Sequence, residues 1–126
     1  MSMVLDAGAL VAVERADRYT VSLIKQEFLA GRTPVTHGGI IGQVWRGGSG
    51  RQANLARLLP ALDVVSLDDV LGRRTGVLLG RAKMHDVLDA ALVLLAMDGD
   101  SILTSDPDDL EPLAVSADRH VDIVPV

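Results

Sequence analysis

Cysteine is absent from the 126 residues, which excludes disulfides, thiolate catalysis and every metal site built on sulfur. Aromatic residues are almost absent as well, with Trp45, Tyr19 and Phe28 the whole set. Any core must therefore be aliphatic, built from Ala, Val, Leu and Ile, and an apolar fraction of 48% is ample for one. Long hydrophobic runs are missing too. The longest, Ala90 to Met97, is less than half of the ~20 residues that a membrane-spanning helix needs. No basic stretch leads into an apolar one at the start, so a secretory signal is not expected. A chain of this length is expected to form one domain, residues 1–126, in the cytoplasm and without a membrane partner.

Charge is scarce in one sign at each end of the second half. The net charge is −5, which suits a generic nucleic-acid binder poorly. The balance is uneven, however. Residues 46–83 carry seven bases against three acids, whereas residues 84–126 carry ten acids against Arg119 alone. A basic middle beside an acidic end has the charge layout for holding a phosphate backbone next to a cation site.

Short apolar runs alternate with helical patterns along the chain. Strands are expected at Met3 to Leu5, in "TPVTH", in "DVVSL", in "SILTSD" and in "VDIVPV". Between them, helices are expected near Ala9 to Val13 after a break at Gly8, in "TVSLIKQEFLAG", over Gly39 to Arg46, and in "RQANLARLLPAL" up to Pro60. Three more follow, in "DDVLGRRTGVLLGRAK", from Asp86 to Ala96, and in "PDDLEPLAVSA"; "RGGSG" reads as a flexible break. Continuous apolar strands joined by helices imply an α/β fold in three layers, α/β/α, around a central parallel sheet of about five short strands.

The stretch "MHDVLDAALVLLA" places Asp86 and Asp89 three residues apart at the mouth of an apolar helix. Helix chemistry explains one of them: Asp86 fits an N-cap, and a negative charge at Asp89 would suit the helix dipole. Topology adds a second explanation. Ligand sites in open parallel sheets lie beyond the carboxyl ends of strands, and Asp6 and Asp106 each close a predicted strand. The helix led by Asp86 and Asp89 must start at that same edge, so four carboxylates converge from three segments. Clustered like charges raise one another's pKa unless a cation neutralises them, and oxygen-only donors suit Mg²⁺ or Mn²⁺. Such an ion activates water and neutralises a phosphoryl oxygen, which is the chemistry of a phosphodiester nuclease.

"VLDAGALVA", "QVWR", "DVLDAALVLLA" and "ILTSDPDDL", in that order, resemble the PIN domain, and within it the VapC-like ribonuclease toxins of type II toxin–antitoxin pairs. The resemblance spans essentially the whole chain. It implies a PIN-like fold and a Mg²⁺- or Mn²⁺-dependent endoribonuclease acting on an RNA substrate. It also implies a homodimer, neutralised by a cognate antitoxin that inserts a peptide into the acidic groove. Matched by motif, Asp6, Asp89 and Asp106 are metal-binding, catalytic acids, Asp86 is an auxiliary one, and Asp109 is a lesser candidate beside them. Gln43 stands where the family usually has Glu. An amide offers oxygen without charge, which implies weaker metal binding, or a PIN-like module that binds RNA or protein without cutting.

Other residues have plainer readings beside functional ones. Arg46, Arg51 and Lys83 are candidates for RNA-backbone contacts, which position without reading sequence, and equally for solvated surface. Ser105, with Thr104, suits either a water at the metal or a helix cap. His37 and His85 invite a metal or acid–base reading, although His85, whose neighbour Asp86 points away from it on a helix, suits the surface or the site's surroundings better than ligation. His120 reads as exposed, and Trp45 as core or dimer contact ahead of a platform for stacking a base. A receiver-like signalling domain is the other small α/β fold with acids at strand ends. It needs a late lysine, and none follows Lys83.

Overall fold

The computed structural model describes all residues, Met1–Val126. Its five strands are β1 (Met3–Leu5), β2 (Val35–His37), β3 (Asp63–Val65), β4 (Ser101–Thr104) and β5 (Asp122–Pro125). They form one sheet in the order β3-β2-β1-β4-β5, parallel throughout. Val4 of β1 sits opposite Val35 on one side and Ile102 on the other. All three β1 residues are buried, as are Ile102, Leu103 and Thr104 of β4. Strands buried on both faces require helices on both faces, which is why these segments are apolar without alternation. The edges are kept from pairing further: β3 is short with Asp63 exposed, and β5 ends on Pro125, which has no N–H to offer.

Seven helices cover the sheet in two packed groups. One group is α1 (Ala7–Glu14), α2 (Arg18–Leu29), α3 (Gly38–Val44) and α4 (Ala53–Leu58), gathered around α1; the other is α5 (Asp69–Ala82), α6 (Val87–Leu95) and α7 (Pro107–Ser116). The apolar side chains between sheet and helices form one cluster of 20 buried residues, aliphatic throughout apart from methionine. The three-layer expectation holds. No helix is long and apolar enough to cross a membrane.

Four local expectations need correction. Gly8 lies inside the first turn of α1 rather than breaking the chain before it; a Cβ there would overlap the Ser105 side chain, so glycine lets the helix approach β4. The helix expected over residues 51–62 is divided into a 3₁₀ turn at Gly50–Gln52, α4, and a second 3₁₀ turn at Leu59–Ala61 that contains Pro60. The helix expected to reach Arg46 ends at Val44, because Trp45 is extended, with ψ 131°. Its half-buried ring packs beside Gly48, where a Cβ would meet the indole.

Nor is "RGGSG" a free hinge. Buried Gln52 ties it down: its Oε1 accepts from Arg46 N at 2.8 Å and Gly48 N at 3.2 Å, and its Nε2 donates to Val44 O at 2.8 Å and Glu14 Oε1 at 2.7 Å. Every bonding position of one amide is used to fasten the end of α3 to the end of α1. Gln52→Leu orphans those groups together, and its expected cost is about 2–3 kcal/mol in urea unfolding. A loss under about 0.5 kcal/mol would show that the clamp contributes nothing.

Candidate active site

At the carboxyl rim of the sheet lies a cleft of about 700 Å³, lined by Asp6, Asp86, Asp89, Asp106 and Asp109 together with Gln43 and Ser105. The segments expected to converge do so. Each reaches the rim for a local reason. Asp6 ends β1 and caps α1, accepting from Ala7 N at 2.7 Å through Oδ1. Its Oδ2 accepts from Thr104 Oγ1 at 2.6 Å, and the same hydroxyl accepts from Asp106 N at 3.0 Å. Asp6 is buried with both oxygens bonded, so it is the fixed member of the set. Asp106 precedes α7 without spending its side chain on a cap; only Ser105 Oγ approaches it, at 3.4 Å.

Asp86 and Asp89 divide the two explanations offered for them. Asp86 is an N-cap, accepting from Asp89 N at 3.0 Å, and is exposed. Asp89 is half-buried, and its pKa is pushed up from the ordinary 3.8 to about 7. Burial is the largest cause, followed by the negative charges of Asp86, Asp6, Asp109 and Asp106. A charge placed simply to please the helix dipole would move the other way.

No ion pair answers this charge. The ion pairs of the molecule are Arg32–Glu27, Arg73–Asp69 and His120–Asp98, all elsewhere. The carboxylates nevertheless do not close into a ready ligand set, since no three His, Asp or Glu side chains are grouped tightly enough to hold an ion. The four-acid cradle expected from the strand ends is thus a shared cleft rather than a preformed cage. Asp106 and Asp109 are exposed, and the Asp106 side chain is not spent on a cap.

The expected phosphate contacts fall outside. Arg46, Arg51 and Lys83 do not line the cleft. Arg46 folds back on its own helix, donating through Nη1 to Trp45 O at 2.7 Å and Gly42 O at 3.2 Å. The one base in the cleft is Arg15, which the sequence reading missed, along with Asp17 at the same end. A helical stripe signals both: Gly8, Val11, Ala12 and Arg15 recur at three- and four-residue spacing behind Asp6. Asp17 is engaged as the cap of α2, accepting from Thr20 N and Oγ1 at 3.0 and 2.8 Å, which lowers its pKa.

His37, which invited a metal or acid–base reading, has a structural post instead. Fully buried, it accepts from Gly39 N at Nδ1 (3.1 Å) and donates from Nε2 to Leu88 O (3.0 Å). The Nδ1 acceptor requires the neutral ring, and burial lowers its pKa accordingly. The ring fastens the first turn of α6, and so Asp89, to the start of α3, which carries Gln43. Gly39 permits the contact, because a Cβ there would run into Leu88.

No protein-family model matches the chain, and no curated protein matches it in sequence. Solved structures do match. A chain of the VapBC2 complex from Rickettsia felis, crystallised with a DNA fragment from its promoter, superimposes with a TM-score of 0.67 at 9% identity, over 98% of each chain. VapC20 from Mycobacterium tuberculosis, a sarcin–ricin-loop-cleaving toxin, matches with a TM-score of 0.51 at 18% identity, over 71% of this chain and 77% of that one. The chain has a VapC-like PIN fold. At such identities the likeness is one of architecture, and the chemistry of this cleft must be argued from its own residues.

Since folded Asp89 holds its proton far more tightly than unfolded Asp89, stability is lost as pH rises from about 4 through about 7. In EDTA, Asp89→Asn is therefore expected to unfold at higher temperature than the native protein near pH 8. After discounting for solvent screening, the gain is on the order of 1–2 kcal/mol, shrinking to nothing near pH 4. A variant less stable at every pH would mean that Asp89 is not a strained charge.

Proposed function

We propose that the chain is a Mg²⁺- or Mn²⁺-dependent endoribonuclease toxin. The observation that carries this reading is a cleft lined by six aspartates, none of them in an ion pair, with the pKa of Asp89 pushed up to about 7. The donor set fits a hard divalent ion: it is oxygen only, one member is rigid, and the others can rotate onto an ion. Asp6, Asp89 and Asp106 would hold it, with Asp86 and Asp109 flanking. Bound there, the ion would lower the pKa of water and neutralise charge on a phosphoryl oxygen.

The chain's own residues supply the rest. Thr104 keeps the Asp6 and Asp106 ends of β1 and β4 in register. His37 fixes the turn bearing Asp89, and Ser105 has its hydroxyl at the cleft for a water or a phosphate oxygen. Arg15 is the cleft's contact for a flanking phosphate, in place of Arg46. Arg51 and Lys83 are exposed beyond the cleft and reach only RNA that extends past it. The VapC-like fold and the complexed state of the Rickettsia neighbour support a cognate antitoxin as partner, and a homodimer belongs to the same reading.

A second reading, a PIN-like module that binds RNA or protein without cutting it, is favoured by Gln43, whose amide lines the cleft where a carboxylate would add charge. Cleavage of a structured RNA separates the two. We expect cutting with Mn²⁺, none in EDTA, and a loss of at least about 100-fold in Asp89→Asn that remains folded. Cutting indifferent to both treatments would end the nuclease reading. Gln43→Glu adds a charged oxygen and is expected to tighten Mn²⁺ binding roughly tenfold by titration calorimetry. No gain would remove Gln43 from the ion's surroundings.

A further inference from the structure

A polyanion meets an obstacle in this molecule: six aspartates line the cleft it must enter, and Arg15 is the only base there. The charge needed to hold it lies elsewhere. At the C-terminal ends of α6 and α7, away from the carboxylates at their N-termini, four arginines border one shallow groove of about 380 Å³. Arg73, Arg74 and Arg81 come from α5, and Arg119 from the turn after α7. Val77 and Leu94 lie among them, and no acidic residue lines the groove.

Surface chemistry accounts for part of this. Arg73 pairs with Asp69 at 3.0 Å, both side chains being exposed, a contact of little worth. Arg119 Nη1 rests on Met97 Sδ at 3.1 Å, and its charge helps to hold the Asp98 carboxyl below the usual range, after the larger effect of the His120 amide. Arg81 makes one long bond, 3.5 Å, to Ser116 O at the end of α7. Arg74 and Arg81 have no carboxylate partner. Guanidinium groups crowded around one depression repel one another unless an anion shares it. Arg74 and Arg81 stand two turns apart, about 10 Å along the helix. A row of that length suits successive phosphates of one strand, while a lone phosphate or carboxylate engages a single fork.

The geometry points to a second nucleic-acid contact: the groove of Arg73, Arg74, Arg81 and Arg119 holds the phosphate backbone of an RNA strand, apart from the acidic cleft. The choice of RNA as the polyanion rests on the ribonuclease reading; the groove itself does not. Holding and cutting are then separate tasks of separate surfaces.

Binding of a short labelled single-stranded RNA to full-length Asp89→Asn in EDTA, followed by anisotropy across a salt series, reads the contact without cleavage. Adding Arg74→Ala and Arg81→Ala is expected to weaken binding roughly tenfold near 0.1 M salt. It is also expected to flatten log K against log salt by about 1.4, since each phosphate no longer neutralised removes ~0.7 from the slope. Arg18→Ala with Lys25→Ala, exposed on α2 in the other helix group, is expected to change neither. An unchanged slope in the groove variant, an equal weakening in the α2 pair, or tighter binding of poly-glutamate than of RNA would overturn the proposal. Groove-dependent binding in a native protein that fails to cut with Mn²⁺ would retain the groove and remove the nuclease. Cutting by a protein whose groove variant binds normally would do the reverse.

Discussion

One hydroxyl sets the geometry of the rim. Thr104, fully buried at the end of β4, donates to Asp6 Oδ2 and accepts from Asp106 N. A buried carboxylate is tolerated only when its oxygens find donors, and Asp6 finds two, this hydroxyl and the amide of Ala7. The first strand, the start of the first helix and the last acidic loop are thereby locked at one point, although Thr104 and Asp6 lie 98 positions apart in the chain. Because all five strands run the same way, fixing this point also fixes which rim carries the acids. Asp6 is then an immovable negative charge, and the other carboxylates must settle around it.

That asymmetry gives two neighbouring aspartates different characters. Asp86 is exposed and accepts from the amide of Asp89. Asp89, one turn deeper, has lost part of its water and faces four like charges. The positive end of the α6 dipole acts on it favourably by at most about 2 kcal/mol, too little to offset burial plus that repulsion. The His37 bond to Leu88 O keeps the turn from swinging outward to relieve it. Strain of this kind is released by protonation or by a cation, and both responses place Asp89 at the centre of whatever the cleft does.

Much of this was legible from residue order. Five apolar runs without alternation became five parallel strands, and the acids at their ends share one cleft because parallel topology leaves them no other edge. A local signal held where the cause is local: Asp86 caps its helix as its position implies. The failures share one cause. Gln52 looks like an ordinary helical amide until α1 and α3 pack beside it, for its partner Glu14 lies 38 positions away. Gly8 reads as a breaker until Ser105 is seen against it. The closeness of the carboxylates was overread, since topology brings side chains to the same rim without setting the last few ångströms. Arg46 was misread for a related reason: its own helix end offers carbonyls nearer than any phosphate.

The uneven charge of the sequence now has a spatial meaning. The acids of residues 84–126 that matter to the rim sit at the N-termini of α6 and α7, and three of the six arginines of residues 46–83 lie on α5 beside the C-terminal ends of the same helices. Part of that arrangement is self-consistent electrostatics, because cations favour helix C-termini. Dipoles alone would have placed anions at the N-termini comfortably, however, and Asp89 is anything but comfortable. Nor do dipoles call for Arg119, the single base in the last third of the chain, to join three arginines from another helix. Clustered negative charge at one end of two helices and clustered positive charge at the other is the separation on which the two proposals, a cation in the cleft and a polyanion in the groove, are built.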